Sequence, residues 1–194
     1  MRRRGRNRLG TRAGAALVAL ALLVAALAAA TPADARSFVI KARGSQTGLG
    51  VVRAIGDFKP SRAPTLAAAI RAYGRPTSKS GGGEICRVRW AGLGVRIRFQ
   101  NFGGVDSCEP RNGRAQKAVV KGDRPWRTEK GLRLGDSVNK LDRLHPRARR
   151  TSRGFRLVEG VLPFGRPQRY AVLGARVAGG RATAFTLFIG AAGD

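Results

Sequence analysis

The chain has 194 residues, with 38 Lys and Arg against 11 Asp and Glu, and a net charge of +27. One histidine and two cysteines are too few for a usual four-ligand zinc centre, and nothing in the composition asks for a cofactor. The charge predicts affinity for anions, be they envelope polymers, acidic lipids, acidic proteins or nucleic acid; a GC-rich coding sequence would also raise Arg, Ala and Gly together.

The first residues, MRRRGRNRLGTR, are basic, and AGAALVALALLVAALAAA follows as an apolar run. Ala33-Asp34-Ala35 then offers a small-x-small cleavage site. That order predicts a secretory signal peptide over 1–35 and a protein that is secreted or held in the cell envelope. The run is also just long enough to span a bilayer, so an uncleaved membrane anchor is the alternative. No other membrane contact is expected. Removing the leader takes six arginines and one aspartate, leaving about +22 of the +27 on the roughly 159 residues that remain. That length suits one domain or two small ones with a real core.

A first helix-plus-sheet module is expected over 36–122. VVRAIGD reads as a short strand. APTLAAAIRAYGRP reads as a helix, capped by Thr65 and stopped at Gly74 and Pro76. CRVRWAGLGVRIRF alternates strictly and predicts a hairpin turning at Gly92-Leu93. Its apolar face carries Val88, Trp90, Val95, Ile97 and Phe99; its other face carries Arg87, Arg89, Arg96 and Arg98. The turn at Gly92-Leu93 sets Arg89 opposite Arg96 and Arg87 opposite Arg98, and a slip by two residues still sets arginine near arginine, an unfavourable arrangement unless acids or an anion offset it. Glu84, Asp106 and Glu109 are the candidate acids. In an exported chain Cys86 and Cys108 predict a disulfide, closing a loop of about 23 residues worth roughly 3 kcal/mol. RAQKAVVKG offers one more strand.

KGDRPWRTEKG reads as a connector. Trp126 within it is expected either to stand out as an aromatic anchor for a partner or to close the seam between modules. A second module is expected over 123–194. GLRLGD reads as a strand and LGDSVNKLDRLHPR as a helix capped by Asp136 and stopped at His145-Pro146. GFRLVEG is a strand, and RYAVLGARV and RATAFTLFI flank a hairpin turn at Ala178-Gly179-Gly180. The two helical stretches align at an offset of 71, Thr65 on Asp136 and Ile70 on Leu141. The expected fold class is therefore α+β, two tandem modules, each a short helix packed on a small antiparallel sheet, after the signal peptide.

GLRLGDSVNKLDRLHP resembles the short opening of the modules in the β-lactamase inhibitory proteins and the SmpA/BamE-type outer-membrane-assembly lipoproteins. The inhibitory proteins are exported actinobacterial proteins of two tandem helix-plus-sheet modules. The resemblance implies a binding module rather than an enzyme. It carries over no inhibitory loop.

The chemical motifs weigh the same way. Ser137 and Lys140 have the S-x-x-K spacing of penicillin-recognising enzymes, but S-D-N and K-T-G are absent. His145 ends a helix, where it would face solvent or the last carbonyls. No carboxylate pair is placed for glycosidase chemistry. The expected function is an exported, non-enzymatic binding module with a protein or an anionic polymer as partner. The alternatives are a cell-wall serine hydrolase or transpeptidase using Ser137 and Lys140, or a polyanion binder of the nucleic-acid type. Export and few aromatic residues argue against nucleic acid.

Overall fold

In the computed structural model, residues 36–162 and 166–190 are described; the expected signal peptide over 1–35 lies outside them. Strict alternation in the sequence becomes strand after strand. β1 (Val39–Arg43), β2 (Val51–Ile55) and β7 (Arg127–Thr128) form a small sheet in the order β2-β1-β7. The other eight strands form one sheet. They are β3 (Ser78–Gly82), β4 (Ile85–Trp90), β5 (Val95–Gln100), β6 (Arg114–Lys121), β8 (Arg149–Thr151), β9 (Gly154–Leu162), β10 (Gln168–Ala178) and β11 (Arg181–Phe188). Their order is β3-β4-β5-β6-β11-β10-β9-β8, all antiparallel.

This overturns the expected fold class. The described chain is mostly β, with only two short helices, and strands from both halves pair directly where β6 meets β11. It is not two tandem helix-on-sheet modules. One hydrophobic cluster runs the length of the large sheet: Val88, Ile97 and Phe99 from one end and Leu173, Phe185 and Leu187 from the other belong to the same core. The physical reason is that four-stranded halves would each leave an open edge, and edge-to-edge pairing of β6 with β11 satisfies both rows of backbone groups.

Both helices cover the inner face of this core. α1 (Leu66–Tyr73) starts at Thr65, whose Oγ1 accepts the Ala68 N–H at 3.3 Å, and buries Leu66, Ala69 and Tyr73. α2 (Val138–Leu144) is capped by Ser137 rather than Asp136: Ser137 Oγ accepts the Lys140 N–H at 3.3 Å, and Leu141 is buried. Ile40, Val52, Ile55 and Phe58 pack in from the small sheet and its following turn. The apolar alternation of β4 and β5 points into this core, so their arginines point away from it. The outer face of the large sheet therefore carries the chemistry of interest.

Cys86 and Cys108 form the expected disulfide, with Cα atoms 5.0 Å apart. It fastens β4 to the loop that joins β5 to β6.

Candidate functional site

The β4–β5 hairpin has the expected pairing. Trp90 faces Val95, Val88 faces Ile97, Arg89 faces Arg96 and Arg87 faces Arg98. The turn differs: Ala91–Leu93 form a short 3-10 turn closed by Gly94, so four residues connect the strands. Gly94 has φ +68°, and a methyl group there would run into the carbonyl oxygen of Lys121. Glycine is thus required both by the left-handed backbone and by the close approach of β6.

The neighbouring strands complete two rows across the outer face. One runs Ser80, Arg87, Arg98, Lys117 and Phe188; the next runs Ser78, Arg89, Arg96, Val119 and Thr186. Neither row holds a carboxylate. The first adds a further cation instead. The candidate acids lie elsewhere. Asp106 Oδ1 accepts the Cys108 N–H at 2.8 Å inside the disulfide loop, and Glu84 and Glu109 are exposed at the same end. Among the described residues none of the four arginines has an ion-pair partner. Arg98 donates to Gln100 Oε1 at 3.3 Å, while its enclosed Nε has no acceptor. Opposed Cβ atoms in such rows are about 5 Å apart, and the two rows about 7 Å apart along the strand. The structure thus brings all four arginines of the hairpin together as one grid with no countercharge in its rows.

The grid opens into two hollows on the same face. At the turn end lies a cleft of about 790 Å³, lined by Arg89, Arg96, Lys121, Arg124 and Arg176, with Asp123 its single carboxylate. Arg124 Nε donates to the Gly92 carbonyl at 2.8 Å, which ties this side chain to the turn. Lys121 and Arg176 share a cross-sheet row with Ala184 between them. A register shift beside Arg176 leaves Thr183 without an opposing residue at that point. Farther along lies a shallow groove of about 560 Å³, lined among others by Phe155, Leu162, Tyr170, Phe188, Arg156 and Arg176. Lys117 Nζ stands 5.9 Å from the Phe188 ring centroid at its border.

Lys121, Arg124 and Arg176 were not singled out by sequence. Lys121 keeps step with Lys117 and Val119 in RAQKAVVK, a period-2 signal that was available. Arg176 joins the site only through the pairing order β6-β11-β10, which no local pattern encodes.

Other sequence-predicted residues fall differently. Trp126 is fully buried, so it is no exposed anchor. Its indole N–H donates to the Leu93 carbonyl at 2.7 Å and its ring meets Phe38 edge-on at 5.1 Å. The charged neighbours in DRPWRTE are exposed around it. An indole with a backbone acceptor gains more from burial than from display. Ser137 and Lys140 are not paired through their side chains: Lys140 Nζ bonds Asp136 Oδ1 at 2.9 Å. Partial burial works to raise the Asp136 carboxyl, but Lys140 and the Arg133 N–H outweigh it and hold it below its ordinary range. His145 is buried rather than solvent-facing, with Nε2 3.2 Å from Thr128 Oγ1. Its burial, and then the charge of Lys130, lower its pKa to about 4.

Among the described residues no group of three or more His, Cys, Asp or Glu is arranged to hold a metal ion, and no helix is long and apolar enough to cross a membrane. No family model, curated protein or solved structure matches the chain.

Proposed function

We propose that this chain is an exported, non-enzymatic binding module whose outer sheet face takes an anionic polymer in the cell envelope or outside the cell. One observation carries the reading: Arg87 opposes Arg98 and Arg89 opposes Arg96 with no carboxylate in either cross-sheet row. Like charges directly opposite cost stability, and a solvated face would ordinarily scatter an acid among them. A bound polyanion recovers that cost, and release of its counterions adds affinity. The leader-like N-terminus and the Cys86–Cys108 disulfide both fit an oxidising, exported setting.

Binding to immobilised heparin and to purified cell wall across a salt series tests this. With Arg87, Arg89, Arg96 and Arg98 all changed to Ser, the release midpoint should fall sharply. The slope of log K against log salt should become shallower by about 3, for four lost charge contacts. An unchanged midpoint would sink the proposal.

A protein partner is the second reading. Phe102 is 72% exposed and Val105 47% exposed on the disulfide-tied loop, an apolar tip that a partner would cover. Capture of a protein from culture supernatant, lost with Phe102→Ser and kept by the arginine variant, would favour it.

A further inference from the structure

We infer that the cleft at the turn end of the outer face is a phosphate site, so that the polymer proposed above is a phosphate-bearing chain held there by its phosphate groups. This rests on the reading of the outer face as a polyanion surface and narrows it to one chemistry.

Five cations converge on the cleft from four separated elements: Arg89 from β4, Arg96 from β5, Lys121 and Arg124 from the end of β6 and the segment after it, and Arg176 from β10. Asp123 subtracts one charge, leaving the lining four positive. Four of the five are arginines, whose planar forks match phosphate oxygens two at a time. Arg124 is already anchored through Nε to the Gly92 carbonyl, so its terminal amino groups are presented with less ordering cost. Ala184 stands between Lys121 and Arg176 in their row, and strands two apart place the two backbones about 10 Å from each other. Ala184 is buried beneath the two flanking cations and, being small, keeps the floor of the cleft between them low. No aromatic side chain lines the cleft, so a nucleobase would find no stacking surface and the backbone phosphate is what the site reads.

Continuity argues for a chain over a free ion. Arg89 and Arg96 belong to both the grid and the cleft, and Arg176 lines both the cleft and the adjoining groove. Successive charges of a linear polymer can therefore be met along one uninterrupted face.

The experiment uses the purified chain, end-labelled linear inorganic polyphosphate, and heparin as the sulfated comparison, read by anisotropy at fixed salt. Ala184→Leu raises the floor of the cleft between Lys121 and Arg176 without altering charge. It should weaken polyphosphate about tenfold and heparin less than twofold. Arg124→Gln with Arg176→Gln should weaken polyphosphate about a hundredfold, at roughly tenfold per charged contact, and heparin far less. Both arginines are exposed, so this double variant decides the matter if Ala184→Leu does not fold. Equal losses for the two polymers would overturn the phosphate site while leaving the outer-face reading intact. If the four-arginine variant binds both polymers as well as wild type does, the outer-face reading itself fails, and the cleft with it.

Discussion

Two arginine-rich regions of the same sheet handle their charge in opposite ways. At the β8–β10 end, Glu159 receives three arginines, from Arg149 at 3.6 Å, Arg156 at 3.5 Å and Arg169 at 3.6 Å. Its side chain is only 15% exposed, so one half-enclosed carboxylate organises three strands. At the β3–β6 end, four arginines and Lys117 share two rows with no acid. The comparison shows that an excess of arginine does not mark a site. A GC-rich composition would enrich both regions alike. What separates them is whether a carboxylate lies within ion-pair reach: Glu159 reaches three arginines at one end, and among the described residues no acid reaches Arg87, Arg89, Arg96 or Arg98 at the other.

The largest expected effect attacks the scaffold of the uncompensated region. Gly94→Ala forces a side chain into left-handed backbone and against the Lys121 carbonyl. It should cost about 3 kcal/mol or more in urea unfolding and empty the cleft of its polyanion affinity. A loss below about 1 kcal/mol would show that the turn can relax and that its geometry is not what builds the cleft.

Next in size is the conversion of the compensated region into the other kind. Glu159→Gln leaves three arginines around a neutral group. Stability should fall by about 1 kcal/mol in low salt, with the deficit shrinking as salt is added. Heparin retention should rise. Retention equal to wild type would mean that free arginines on this sheet are not by themselves enough to bind.

The smallest change runs the other way. Arg87→Glu places an acid opposite Arg98. It should stabilise the fold by about 0.5 kcal/mol in low salt while lowering the salt needed to release polyanion. Stability and binding moving in the same direction would contradict a face held in tension for a ligand.

Much of the local structure was legible. Alternation showed which face Val88, Trp90, Val95 and Ile97 share, and the expected turn at Gly92-Leu93 set the pairing that the hairpin has. Both helices and the Gly179-Gly180 turn announced themselves through caps, periodicity and adjacent glycines. The misses have physical reasons. Ser78–Gly82 is an edge strand with every residue exposed, so it carries no apolar alternation at all. GLRLGD looked like a strand, yet Leu132 is buried from an irregular segment and Arg133 makes only an isolated bridge to Arg127. Trp126 stayed open between display and burial, because its charged neighbours say nothing about where the ring itself packs; it is buried. The site was half legible: the grid is local in sequence, whereas the cleft needs residues brought together across the β6–β11 junction.

That junction has a consequence for how the molecule comes into being. β11 comes last in sequence among the described strands but lies fifth of eight in the sheet, and its partners on β6 are 63 to 71 residues away in sequence. Without it there remain a four-stranded piece and a three-stranded piece, each with a bare edge at the break. The sheet therefore cannot close until Arg181–Phe188 has emerged, whether from a ribosome or from a membrane pore. Among the described strands the keystone is delivered last, and a chain threaded outward N-terminus first would keep its final architecture in abeyance until that strand is across.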